Sequence, residues 1–523
     1  MSTALRPDPV RIGSADAPSR CRDTGPALPA VAWTPVLLVV AAKLAINLAM
    51  AGRYGWHRDE LYYADTASHL AWGYVDFPSL TPLLAALARS VGGESLVVLR
   101  SVASLAGAAV IVVTAVLARD LGGGRRAQVM AAIAITPLVV GSNAMFQTVS
   151  FDQLGWALVI WAAARLLLCA PVRRDLLWPW AAMGAAAALA WSNKYTVGVL
   201  LGALAVAWLV CVPGRATLRG RGPLIAAALV AVVCAPNLWW QARHGWPSVD
   251  FFAGRNSAVR DEYPPVRFAL ELVVLAGPLA VPLALLGLRR LVTDVATRPL
   301  GIGLAVVAPL WLVLGGKSYY AAPLLVGAFA AGAVAWEARL ARSQRGRRTW
   351  LWPATIAGTA LVALPIIGPA LPTATMVDLG LHEVRDDYAE ELGWPELAAT
   401  VDEEWAALDP TLRTRTVVIA SNYGEAGALT RFGSHEEKEM VVVSGHLTHR
   451  LWPLPDEAGQ ADHALLVGYQ RASLADLCAA QPVRVATITN RWGVENEEAG
   501  RGVWRCDLEA TVAELRPRLA HDG

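Results

Sequence analysis

Runs of about 20 mostly apolar residues, the length that crosses roughly 30 Å of hydrocarbon as a helix, recur along the first two thirds of this chain. About eleven start near Ala32, Ser95, Ala127, Gln153, Leu176, Tyr195, Pro223, Phe268, Leu300, Tyr319 and Thr349. In lipid such a run satisfies its backbone polar groups by forming a helix, so the reading is a polytopic α-helical membrane protein. Composition agrees: 55 % of residues are hydrophobic and 17 % charged, against roughly 25 % charged in soluble domains. Basic residues number 45 and acidic ones 43, a balance without a nucleic-acid footprint. Six cysteines in 523 residues are too few for a disulfide-stapled secreted scaffold.

Alternate short loops are rich in arginine: Arg119, Arg125 and Arg126; Arg173 and Arg174; Arg215, Arg219 and Arg221; Arg289, Arg290 and Arg298; Arg339, Arg342, Arg345, Arg347 and Arg348. The loops between them hold Lys194 and Lys317. By the positive-inside rule this predicts a cytoplasmic N-terminus. Residues 1–30, Pro/Arg-rich and without an apolar h-region, read as a disordered cytoplasmic tail. Residues 31–368 read as the membrane domain, with long outer loops at 52–94 and 241–267. Residues 369–523 have ordinary charge density. Their short β-type runs Thr416–Ala420, Met440–Ser444 and Ala464–Tyr469 alternate with helical stretches such as Trp394–Ala407, which predicts an extracytoplasmic α/β domain. Cys478 and Cys506 would there meet an oxidising compartment, where they either pair or stay as two buried thiols.

The first outer loop carries the densest chemistry. It reads Arg53-Tyr-Gly-Trp-His-Arg-Asp-Glu-Leu-Tyr-Tyr, then Trp72-Gly-Tyr-Val-Asp-Phe-Pro-Ser-Leu-Thr-Pro. A plain helix connection needs about four to six residues. Acids beside a bilayer are costly and point to function, which singles out Asp59 and Glu60. Tyr62, Tyr63, His69, Leu70 and Tyr74 have the spacing of an amphipathic helix lying on the membrane surface, although single aromatics here also suit an interfacial belt. Asp152, Lys194 in Ser192-Asn-Lys-Tyr-Thr, Lys317 in Gly315-Gly-Lys-Ser-Tyr-Tyr, and Arg243 with His244 fall at the same outer level. The chain has only four lysines against 41 arginines. Two of the four at outer helix ends are unusual, though lysines also snorkel to interfaces. Acids with isolated cations suit transfer from a lipid phosphate: cations hold the phosphate while a carboxylate takes a proton from an attacking hydroxyl.

These loop motifs resemble the first outer loop of bacterial GT-C-fold membrane glycosyltransferases, the PMT-like or glycosyltransferase family 39 group that includes protein O-mannosyltransferases and lipid A aminoarabinose transferases. Asn193-Lys-Tyr-Thr and Gly316-Lys-Ser-Tyr-Tyr-Ala-Ala-Pro-Leu-Leu resemble later family motifs, and Asn422-Tyr-Gly-Glu-Ala-Gly-Ala-Leu resembles a segment of the outer C-terminal domain of actinobacterial members. The resemblance implies a GT-C fold of about 11–13 spans. It also implies an enzyme that moves a sugar from a polyprenyl-phosphate donor to a hydroxyl of a lipid, glycan or protein acceptor on the outer face, usually with inversion.

Carried onto this chain, the resemblance makes Asp59 the first-loop acid and Asp152 the second acid of the fold. Lys194, Lys317 and Tyr320 match positions near the lipid phosphate. Glu60, Tyr62, Tyr63, Tyr74 and Asp76 are expected to line the substrate pocket. Pro78 is followed by Ser79 where the family pattern has two prolines, and the phosphate-contacting lysine of the aminoarabinose transferases has no counterpart in this loop. Arg58 and Arg243 are therefore candidates to replace it. Metal dependence varies across this fold; a divalent ion would have His57, Glu60 and His244 as weak candidate ligands, and no cofactor is assigned. The competing readings are a transporter or flippase of lipid-linked saccharides and a membrane-anchored receptor or scaffold.

Overall fold

The computed structural model describes residues 28–169, 177–342, 350–433 and 440–521, apart from the side chains of 256–262 and 457. Nearly all of the expected tail, and the loop arginines 173, 174, 345, 347 and 348, lie outside the described residues.

Every one of the eleven apolar runs lies on helix. Among the described residues, five helices are each long and apolar enough to cross a membrane: Trp33–Met50, Leu96–Asp120, Thr148–Cys169, Gly222–Arg243 and Ser318–Arg342. The run at Phe268, expected as one span, is instead the pair Pro265–Ala276 and Val281–Thr293, bent by 97°. Gly277 at φ 74° makes the break. Pro278, which has no N–H to continue the ladder, fixes it there. The remaining runs form Arg125–Ser142, Trp178–Trp191, Val197–Val210, Arg298–Leu314 and Leu351–Val362, of which the last three are apolar but shorter than a full span.

Burial divides the long helices into layers. In the apolar 18-residue stretch of each, 83 % of Ser318–Arg342 and 72 % of Thr148–Cys169 is buried, against 17 % in Gly222–Arg243 and 22 % in Trp33–Met50. The first two are the core of the bundle, and the other two leave apolar side chains such as Leu38 and Val232 on its outer surface.

After the bundle comes the expected α/β domain. Its strands are β1 (Thr416–Ala420), β2 (Val442–Ser444), β3 (His463–Val467), β4 (Val483–Thr487) and β5 (Gly502–Asp507). They form one sheet in the order β2-β1-β3-β5-β4. The first three pair in parallel and the last two antiparallel. β1 is buried along its whole length, as the unbroken apolar run Val417-Val-Ile-Ala420 requires of a central parallel strand. Cys478 and Cys506 form a disulfide with Cα atoms 5.8 Å apart at a sequence separation of 28; closing a loop of that size stabilises a chain by about 3–4 kcal/mol.

This domain does not stand clear of the bundle. The helix Tyr423–Phe432 packs on the loop helix Arg58–Ser68. A Cβ on Gly427 would come within 2.8 Å of Leu61 Cβ, so the glycine permits helix-to-helix contact and does not shape a turn. The loop helix therefore departs from the expected surface-lying amphipathic helix. It ends at Ser68, before His69, Leu70 and Tyr74, and nine of its residues are buried, on every face. The cover supplied by the C-terminal domain, 360 residues later, removes the exposed face that its spacing predicted.

Candidate active site

The loop helix is fixed by a buried ion network. His57 is its N-cap, in a capping box with Glu60. Arg100, from the helix Leu96–Asp120, grips Glu60 through Nε (2.8 Å) and Nη2 (2.7 Å), and also donates to Glu391 at 3.0 Å. Glu60 further accepts from the backbone N–H of His57 (2.9 Å) and Phe146 (2.7 Å). Glu60 is fully buried and Arg100 is 1 % exposed. With its oxygens so engaged, Glu60 holds the loop helix against the helix Leu96–Asp120 and the connection at Phe146, and through Arg100 against Glu391 of the C-terminal domain; it is buried among these partners and does not line a pocket as expected from sequence. Burying charges is offset only by such complete pairing.

Its neighbour Asp59 points to a different environment. The Tyr423 hydroxyl donates to Asp59 Oδ1 at 2.8 Å. Tyr423 stacks on Tyr62, with ring centroids 4.7 Å apart, and the Tyr62 hydroxyl donates to Asp76 Oδ1 at 3.0 Å. Asp59, Asp76, Tyr62 and Tyr423 thus form one acid–phenol cluster at the seam between bundle and C-terminal domain. Burial pushes the Asp76 carboxyl up to about 7 against the opposing Tyr62 hydrogen bond. Burial, with Asp59 adding to it, also raises the phenols of Tyr63 and Tyr423 well above the ordinary range, so they act as neutral donors. Tyr63 packs between Phe77 (5.2 Å) and Phe146 (6.0 Å). Tyr74 is fully buried, and its hydroxyl is tied to Ala71 N–H and the His69 carbonyl; it locks the turn after the loop helix.

Opposite the acids is a cationic group. Lys194 Nζ lies 4.9 Å from the Tyr320 ring and 5.4 Å from the Tyr319 ring. Asp152, buried in the first turns of Thr148–Cys169, accepts from Thr196 Oγ1 at 2.9 Å and is attracted by Lys194. Arg255, on the helix Pro247–Glu262, exerts its charge on Tyr320 and on Asp76. Lys317 acts on Tyr320 from the N-cap of the following helix and on Asp387. Tyr319 lies within the electrostatic reach of both Arg255 and Asp59.

Three sequence expectations fare differently. Arg58 is 8 % exposed, bonded to Glu497, 3.9 Å from Glu390 and stacked over Tyr423 at 5.0 Å; these acids engage it, so it fastens the C-terminal domain. Arg243 is exposed on its helix end and stacks on Trp239 of the same helix at 5.3 Å. Arg255 is a further cation near Tyr320 that no sequence motif singles out. It escaped notice because a lone arginine in Phe252-Ala-Gly-Arg255 carries no spacing signal. The metal candidates are not brought together: His57 lies 3.1 Å from Glu390, Glu60 is held by Arg100, and His244 stacks on Trp240 at 4.1 Å. Among the described residues no group of His, Cys, Asp and Glu is arranged to hold an ion.

Residues 76–240 match the family model described as dolichyl-phosphate-mannose-protein mannosyltransferase. The structure of ArnT from Cupriavidus metallidurans bound to undecaprenyl phosphate aligns over 90 % of this chain and 97 % of its own, with TM-score 0.53 and 14 % identity. The apo form of that protein aligns over 93 % and 99 %, with TM-score 0.54 and 14 % identity. Archaeal oligosaccharyltransferase AglB from Archaeoglobus fulgidus aligns over 83 % and 69 %, at 11 % identity and TM-score 0.44. No curated protein sequence matches the chain. Residues 76–240 thus carry the pattern of that mannosyltransferase family, and the chain shares the GT-C fold of ArnT over nearly its whole length.

Proposed function

We propose that the protein transfers a sugar from a polyprenyl-phosphate donor to an acceptor hydroxyl, and that it does so at the seam between the bundle and the C-terminal domain. The observation that carries this reading is the opposition of Asp59, linked to Tyr423 at 2.8 Å, and the cations Lys194 and Arg255 around Tyr320. Asp59 accepts the proton of the acceptor hydroxyl as its oxygen attacks the anomeric carbon. The bond from that carbon to the phosphate oxygen breaks, and its electron pair stays on the phosphate. Lys194 and Arg255, with Lys317 behind them, stabilise the charge that develops there; Asp152 and Thr196 orient Lys194. Attack from the side opposite the phosphate inverts the anomeric centre. Tyr62, Tyr63 and Tyr423 keep water from the donor, which it would hydrolyse. The arginine bias of the alternate loops supports an outer-face site, and the undecaprenyl phosphate in the ArnT structure supports the lipid class of the donor.

Purified protein in lipid, given radiolabelled polyprenyl-phosphate sugars, should release label from the lipid. A protein that releases none, yet moves labelled lipid between leaflets, is a flippase and not a transferase.

A further inference from the structure

The C-terminal domain contains a polar crevice of about 710 Å³, within the size range of small-molecule sites. It opens at the carboxyl ends of two neighbouring parallel strands. β1 runs out into Ser421 and Asn422, and β3 runs out into Gly468, Tyr469 and Gln470; all five residues line the crevice. The strand order β2-β1-β3 means the chain leaves β1 toward one side of the sheet and returns on the other. That divergence point is where open α/β sheets bind ligands.

The chemistry of the lining selects among ligands. A helix N-terminus facing such a crevice ordinarily suits phosphate, but here that position is filled from within. Asn422 Oδ1 accepts from Glu425 N–H at 3.0 Å, and Glu425 Oε2 accepts from Ser421 N–H at 2.8 Å and Ser421 Oγ at 3.0 Å. Glu425 is 1 % exposed, and Asp476 and Glu497 add further carboxylates to the wall. The helix N-terminus is therefore closed to an anion, and the rest of the wall mixes three acids with Arg501 and Arg518. Amide, hydroxyl, carboxylate and guanidinium groups from Asn422, Gln470, Ser473, Asp476 and Arg501 instead offer the mixed donors and acceptors that sugar hydroxyls require. The Tyr469 hydroxyl is buried and has no hydrogen-bond partner, although buried polar atoms are nearly always paired. His446 and His521, stacked at 4.6 Å, add flat faces to the same lining.

The crevice shares a wall with the Asp59 site. Asn422 precedes Tyr423, whose hydroxyl bonds Asp59. Glu497 bonds Arg58, the residue before Asp59.

We propose that this crevice binds a saccharide chain, holding the body of a glycan acceptor beside the site where its terminal hydroxyl reacts. The inference rests on the transferase reading above and names its acceptor class.

The test is direct binding to the full-length protein in lipid nanodiscs, with mannotriose, arabinotriose and cellotriose as saccharide probes and ADP as the anionic probe. At least one trisaccharide should bind and ADP should not. Tyr469→Phe should weaken saccharide binding about 2- to 12-fold, the loss of one hydrogen bond, and Gln470→Ala with Asp476→Ala by about tenfold or more. Unchanged tryptophan fluorescence and elution volume show that each variant is folded. Binding of ADP in place of saccharide, or saccharide affinity indifferent to all three substitutions, overturns the proposal. Release of label from the donor is read separately on the wild-type preparation. Donor cleavage without saccharide binding therefore overturns the crevice alone, whereas saccharide binding without donor cleavage defeats the transferase reading.

Discussion

The Tyr423 hydroxyl and the Asp59 carboxylate meet at 2.8 Å across 364 residues of sequence. One comes from the C-terminal α/β domain and the other from the first loop of the bundle, so Asp59 has this partner only when the domain is docked. Tyr423→Phe keeps the stacking on Tyr62 (4.7 Å) and beneath Arg58 (5.0 Å) and removes only the donor. The loss of one hydrogen bond, about 0.5–1.5 kcal/mol, should lower transfer about 2- to 12-fold with the protein still folded. A rate equal to wild type would detach Tyr423 from the chemistry.

Lys194 Nζ lies 4.9 Å from the centre of the Tyr320 ring. Hydrogen bonds to charged groups contribute about 1.5–3 kcal/mol. Lys194→Met should therefore weaken undecaprenyl phosphate binding by an order of magnitude or more, measured as ligand-induced thermal stabilisation. Equal stabilisation of variant and wild type would assign the phosphate elsewhere.

Glu60 and Asp59 are adjacent in sequence and opposite in role. Glu60→Ala leaves Arg100, 1 % exposed, with Glu391 as its remaining carboxylate partner. Breaking a buried pair costs about 3–5 kcal/mol, so the variant should lose most of its thermal stability and yield. A Glu60→Ala protein that melts like wild type would return Glu60 to the substrate pocket.

The seam should loosen as pH rises. Burial lifts Asp76 and Glu391 to about 7. Burial together with Glu498 lifts Glu425 to about 8. For His57 burial acts downward, but the Glu390 hydrogen bond and the charges of Asp59 and Asp387 outweigh it, giving about 9. Each of these folded-state values lies above its unfolded one, so the folded protein binds more protons. The stability they contribute is full below their unfolded values and lost as pH climbs through the folded ones. Asp387, beside His57, shifts the other way, with burial opposed and outweighed chiefly by Arg385, and its contribution fades only in acid. The melting temperature should fall between pH 6 and 9, and His57→Gln should flatten the part of that slope above about pH 6.5. A melting temperature that rises over this range would contradict the arrangement.

What the sequence displayed and what it hid follow from range. Apolar runs report their own burial, so all eleven land on helices. β1 matches its expected bounds Thr416–Ala420, and the helix Trp394–Ala406 differs by one residue. β4 escaped because its side chains are half-exposed or exposed and leave no apolar run. β5 is interrupted by Arg505 and Asp507. At the site, Asp59, Asp152, Lys194 and Tyr320 stood out as costly or rare residues at an outer helix end. The partners that sort them did not. Arg100, Glu391, Tyr423 and Arg255 come from four separate segments, and nothing local to Glu60 or Arg58 signals that each is already neutralised by acids or arginine from afar.

The most direct measurement is the rate of label release from a radiolabelled polyprenyl-phosphate sugar by wild type and Asp59→Asn, in lipid, with saccharide acceptor present. A general base contributes about 10²–10⁴-fold, so the variant should lose at least two orders of magnitude of transfer while keeping the wild-type melting temperature and affinity for undecaprenyl phosphate. An Asp59→Asn protein that transfers sugar at the wild-type rate would contradict the account.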